Sequence, residues 1–111
     1  MNLKESIQHN PEEFIGICKS FDIKSLYAFG SSLRDDFDEE TSDVDLLIEI
    51  SVEDPISRGE QIMELWDRFE AFFKRKVDLL TSASLKNPFL RKSIEASKVL
   101  IYDGKELKIS F

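Results

Sequence analysis

The chain reads as α/β, of the α+β kind: a mixed sheet of about four strands, flanked mainly on one face by helices. Three observations predict this. Short apolar runs bounded by turn signals recur near residues 25–30, 43–50, 76–81 and 98–102. Between the second and third runs, apolar residues recur at helical spacing, which makes a crossover unit with two parallel strands. Asn-Pro pairs at 10–11 and 87–88 supply an N-cap and a first helical residue, each opening a further helix.

Taken in order, residues 1–10 predict a short helical turn. From Pro11, the stripe Phe14, Ile15, Ile17, Cys18 and Phe21 predicts a helix with one apolar face. Leu26-Tyr27-Ala28-Phe29 then forms a strand that ends on Gly30-Ser31, and Ser31 to Arg34 can start a helical turn. The acids Asp35, Asp36, Asp38, Glu39 and Glu40 read as a solvated loop. Asp43-Val44-Asp45 opens the next strand. After a break at Glu53-Asp54-Pro55, Ser57 caps a helix to about Lys74, with Ile62, Leu65, Trp66, Phe69, Phe72 and Phe73 as its packing stripe. Lys76–Thr81 is the third strand, Asn87-Pro88 starts a helix to about Ser97, and Val99–Tyr102 is the fourth strand, followed by a turn at Asp103-Gly104. In the tail, Leu107, Ile109 and Phe111 alternate like an edge strand or an interface segment.

The 111 residues suit one domain, residues 1–111, and the 41% hydrophobic content with nine Phe is enough for a core. A net charge of −7 argues against non-specific nucleic-acid binding, which calls for basic patches. One cysteine, Cys18, excludes an internal disulfide framework and fits the reducing cytoplasm. No signal peptide is visible, and no apolar stretch is long enough for a membrane span. The single histidine, His9, stands before a helix and reads as a surface side chain.

Side chains alternate faces along a strand, so Asp43 and Asp45 point the same way, with Cα atoms roughly 6.5–7 Å apart. Val44, Leu46, Ile48 and Ile50 take the opposite face, toward a core. Two carboxylates so placed can converge on one hard cation, and Mg²⁺ prefers carboxylate oxygens together with substrate phosphates. Gly30 lets backbone approach a ligand closely. If the strand at 25–30 is antiparallel to 43–50, and 76–81 is parallel to it, then Gly30-Ser31, Asp43, Asp45 and Asp78 meet at one rim of the sheet. That arrangement suits a nucleoside triphosphate with Mg²⁺.

Gly30-Ser31, Arg34 three residues after the serine, a polar loop and Ser42-Asp43-Val44-Asp45-Leu46-Leu47-Ile48 together resemble the minimal nucleotidyltransferases of the DNA polymerase β superfamily. Asp78 supplies a third acid at the expected place, so the resemblance extends over nearly the whole chain. Two departures stand out: the spacer from Ser32 to Ser42 is one residue longer than the family's usual one, and Asp35 stands where relatives often have Gly. The resemblance implies the polymerase β-like fold and transfer of a nucleoside monophosphate from ATP to a hydroxyl, releasing pyrophosphate. It implies that Asp43, Asp45 and Asp78 are the catalytic and metal-binding acids, holding two Mg²⁺ ions, and that Gly30, Ser31 and Arg34 bind the nucleotide. It further implies a helical HEPN-domain partner, a toxin whose tyrosine would receive AMP from this chain acting as antitoxin.

A second reading, from a different class, is a binding module that neutralises its partner by contact alone. The intact acids favour the enzyme; the longer loop and Asp35 favour the module. A nucleotidyltransferase acting on a small molecule is a third.

Overall fold

The computed structural model describes residues 3–30, 43–106 and 108–109. Among these residues, four α-helices and five strands follow one another as α1 (Leu3–His9), α2 (Pro11–Lys19), β1 (Ile23–Phe29), β2 (Val44–Ile50), α3 (Pro55–Phe73), β3 (Val77–Thr81), α4 (Pro88–Ser97), β4 (Val99–Asp103) and β5 (Lys108–Ile109). A 3₁₀ turn at Ser82–Ser84 joins β3 to α4.

The strands form one mixed sheet in the order β3-β2-β1-β4-β5. β1 is antiparallel to both β2 and β4, whereas β2 and β3 are parallel. The expected crossover, β2–α3–β3, is therefore present. Against about four expected strands, five are found: Ile109 of the tail pairs with Tyr102, extending the sheet at its edge. Leu107 and Phe111 lie outside the described residues.

Alternation sorts each strand between two cores. Leu26, Ala28, Val44, Leu46, Ile48, Val77 and Leu79 share one buried cluster with Leu3 and Ile7 of α1, Phe14 and Ile17 of α2, and Leu65, Phe69 and Phe73 of α3. Phe14 stacks on Phe69 at 5.9 Å between ring centres and tilts toward Phe72 at 5.6 Å, within the range where aromatic pairs attract. The residues between them face the other way, where Phe29 and Leu47 pack with Leu85 and with Ile94 of α4. The helices thus divide three to one between the faces, close to the expected one-sided covering. α4 takes the second face because it links edge strand β3 to β4 on the far side of β2 and β1, and α3 already occupies the first.

Local chemistry sets the helix ends. Asp54, not Ser57, caps α3: its carboxylate accepts the Ser57 N–H at 3.0 Å, with Pro55 as the first helical residue. Lys74 ends α3 in the left-handed conformation, its N–H donating to the Glu70 carbonyl. Asn87 caps α4 as expected, accepting from the N–H groups of Phe89 and Leu90. Asn10 makes no side-chain cap; its amide donates instead to Glu13 at 2.6 Å. Cys18 is fully buried, and burial pushes its thiol far above the ordinary range. His9 is exposed, as expected. Among the described residues, no helix is long and apolar enough to cross a membrane.

Candidate active site at the acid rim

Strand directions gather the predicted residues. β1 ends where antiparallel β2 begins, and β3 begins beside β2. In register, Phe29 stands opposite Asp45, and Asp45 stands opposite Asp78. Gly30, Asp43, Asp45 and Asp78 therefore meet at one rim. Asp45 and Asp78 share the strand face of Leu47 and Leu80, which is the face that α4 covers farther along. Ser31, Arg34 and the acidic run from Asp35 to Glu40 lie outside the described residues.

Asp45 and Asp78 occupy neighbouring parallel strands, whose spacing is about 4.8 Å. Burial pushes the Asp45 carboxyl up to about 6; the charges of Asp78 and Asp43 add to this, as does a side-chain hydrogen bond with Asp78. Two carboxyl groups can bond in this way only when one carries a proton. Like charges drawn this close without a counter-ion raise the proton affinity further.

Gly30 closes the rim from above. Its φ is +68°, and a Cβ there would lie 2.6 Å from the Asp45 Oδ2. The backbone conformation calls for glycine, and a side chain there would also press on the end of the Asp45 carboxylate, which would have to swing aside. This contact ties the glycine of the turn to the second acid of the strand.

Asp43 sits slightly apart. Its Oδ2 is 3.8 Å from the Lys76 ammonium, and both side chains are open to solvent. Among the described residues, no three His, Cys, Asp or Glu side chains stand close enough together to hold a metal ion. The donor set nevertheless suits a hard cation: it is all-oxygen, doubly or triply anionic when ionised, and the repulsion among its carboxylates adds to the effect of burial in raising the Asp45 proton affinity. Lys76 meets Asp43 with a positive charge of its own.

Two neighbours escaped the sequence reading. The Val77 N–H donates to Glu70 Oε2 at 3.0 Å, and the Trp66 indole N–H donates to the Val77 carbonyl at 2.5 Å. The sequence places Trp66 only in the packing stripe, and it does pack against the core. The signal was the spacing of Trp66 and Glu70, one helical turn apart and next to each other on the helix surface.

A mixed sheet that gathers a glycine turn and strand-borne acids at one rim defines a class of nucleotide-handling α+β domains. The chain belongs to the nucleotidyltransferase domain family, whose profile matches residues 11–101. A candidate protein adenylyltransferase of Methanocaldococcus jannaschii is 34% identical over 99 residues, covering 89% of this chain and 94% of its own length. A second from the same organism is 37% identical over 83 residues, covering 75% and 81%. Among solved structures, a candidate minimal nucleotidyltransferase matches with a TM-score of 0.57 at 22% identity, over 89% of this chain and 95% of that one. A chain from a complex of a tri-AMPylated Shewanella oneidensis HEPN toxin with its MNT antitoxin matches with a TM-score of 0.53 at 20% identity, over 89% and 74%. At these identities the structures bear on the fold, which is the one the sequence predicted.

Proposed function

We propose that residues 1–111 act as a single Mg²⁺-dependent protein adenylyltransferase domain in the cytoplasm, moving AMP from ATP to a tyrosine hydroxyl of a HEPN-type toxin and so serving as its antitoxin. The observation that carries this reading is the pairing of Asp45 with Asp78 directly beneath Gly30. Relatives named as protein adenylyltransferases, and a fold neighbour from a complex with an AMPylated HEPN toxin, support the choice of acceptor.

In this reading Asp43, Asp45 and Asp78 would hold the metal, as two Mg²⁺ ions, Asp43 exchanging its contact with Lys76 for the metal. Bound there, Mg²⁺ supplies charge neutralisation for the triphosphate and the displaced pyrophosphate. Gly30 admits the phosphates close to the backbone, with Ser31 and Arg34 as further phosphate contacts. The tyrosine oxygen attacks the α-phosphorus, a P–O bond forms, and the bond to the β-phosphate breaks. The phenolic proton passes to Asp78, directly or through water.

Asp78→Asn tests the reading. It should slow transfer about 10²- to 10⁴-fold, the usual worth of positioned proton transfer, while partner capture in a pull-down is unchanged. Transfer is read as the mass gain of the partner with ATP and Mg²⁺. The second reading, neutralisation by contact, draws on the separation of Asp43 from the other two acids. A partner that is bound and silenced by the wild-type chain without gaining mass would establish it.

A further inference from the structure

We propose that Glu70 and Trp66 of α3 are positioning residues for the acid site: they grip the Val77 peptide and so fix Asp78 opposite Asp45. This deepens the proposed function and rests on it for its catalytic arm.

The argument begins with the sheet edge. Among the described residues β3 is the outermost strand on its side, so the peptide groups on its outer flank have no strand to pair with. Unpaired groups at an edge favour fraying and slippage of register. At Val77 both groups are met from α3. Glu70 Oε2 accepts the N–H at 3.0 Å, and the Trp66 indole donates to the carbonyl at 2.5 Å. On the inner flank, the Lys76 carbonyl accepts the Val44 N–H at 3.0 Å. The two peptides preceding Asp78 are therefore held from both sides.

The grip lies where register matters most. Val77 is fully buried in the first core, and the next residue, Asp78, faces the rim. A shift of one residue would exchange the two, placing an aspartate in the core and a valine at the site. Backbone pairing of β2 with β3 resists this from one side only. Glu70 also sits at the end of α3, where its own carbonyl accepts the Lys74 N–H that closes the helix. One residue thus links the helix stop to the strand start across the short turn between them. Its side-chain bond to the strand is charge-assisted, the stronger kind.

The test uses the full chain with its partner. Glu70→Ala removes the acceptor, Glu70→Asp keeps the charge but shortens the reach, and Glu70→Gln keeps an oxygen acceptor but removes the charge. Two readouts are taken at a temperature where melting curves show each variant folded: amide hydrogen exchange at Val77 and Asp78, and kcat and ATP KM for transfer. Glu70→Ala and Glu70→Asp should each speed exchange at these two amides about tenfold, leaving β1 amides unchanged. They should lower kcat about 10- to 100-fold, the range for outer-shell supports, with KM within about twofold. Glu70→Gln, which keeps the acceptor but loses the charge assistance, should fall between wild type and Glu70→Ala in both. Unchanged exchange and kcat in Glu70→Ala overturn the proposal, as do equal losses in Glu70→Gln and Glu70→Ala, which would assign the effect to charge. If Glu70→Ala does not fold, Glu70→Asp decides by the same criteria. A wild-type chain without transfer activity would sink the proposed function, and the exchange readout would then decide the positioning role by itself.

Discussion

Replacing Asp45 by Asn should stabilise the metal-free protein at neutral pH. The carboxyl ordinarily titrates near 3.8 and here titrates near about 6, because it is half-buried and faces Asp78 and Asp43. At about 1.36 kcal/mol for each tenfold change in proton affinity, the ionised form costs the fold at most about 3 kcal/mol. Asp45 still meets solvent, and screening reduces this to about 1–1.5 kcal/mol. For a chain of this length, that corresponds to a gain of roughly 4–6 °C in Tm. The asparagine side chain keeps the shape, and its amide can still donate to Asp78. The pH dependence follows from the direction of the shift. Between 3.8 and about 6 the native state holds more protons than the unfolded one, so wild-type stability falls as pH rises through that window. The advantage of the Asp45→Asn protein over wild type is therefore full above about pH 7 and vanishes below 3.8. Melting curves of both proteins in chelator, at about pH 7.5 and about pH 3, on either side of that window, provide the assay. An Asp45→Asn protein that melts at or below wild type at the higher pH would refute the reasoning. Mg²⁺ with ATP should then reverse the order, raising the Tm of wild type only.

Three further substitutions have definite expected outcomes. Gly30→Ala forces a side chain into the left-handed region and against the Asp45 carboxylate; it should cost about 1–3 kcal/mol in urea unfolding and abolish transfer. Asp43→Asn breaks an exposed ion pair with Lys76 and relieves some repulsion of Asp45, so it should change stability by less than about 1 kcal/mol while eliminating transfer; normal transfer would mean the acid is misassigned. Phe69→Ala removes a fully buried ring that packs on Phe14 and Phe73 and should cost about 3–5 kcal/mol, seen as an early unfolding midpoint by circular dichroism.

Much of this was legible in the residues because alternation is a strong signal. Asp43, Val44 and Asp45 assign their own faces, and Gly30 marks the end of its strand. The long helix declared itself through Leu65, Phe69 and Phe73, which are the residues it buries. What stayed hidden depended on distant partners. Asp54 and Ser57 are both good caps, and Pro55 decides between them because it must stand in the first turn, after the cap. Alternation of Leu107, Ile109 and Phe111 marked a strand in the tail, but whether it lay on the sheet or in an interface depended on Tyr102, with which Ile109 pairs. Glu70 looks like any helix-surface acid until the edge of β3 is laid beside it. Lys76 is similarly ordinary until Asp43 is placed across from it.

The parallel pairing of β2 with β3 also sets a timetable. A growing chain that has released only β1 and β2 can form their antiparallel pair and already carries Gly30, Asp43 and Asp45. Asp78 joins them only after the 19 residues of α3 have been made and have crossed the sheet, since a parallel partner cannot arrive by a tight turn. Contacts between residues so far apart in sequence form late, after loop closure has been met by other interactions. The acid rim is thus completed after the β1–β2 pair, though before β4 has been made and can pair with β1. A chain truncated before β3 would display two of its acids without the third, and the rim it carried would be incomplete.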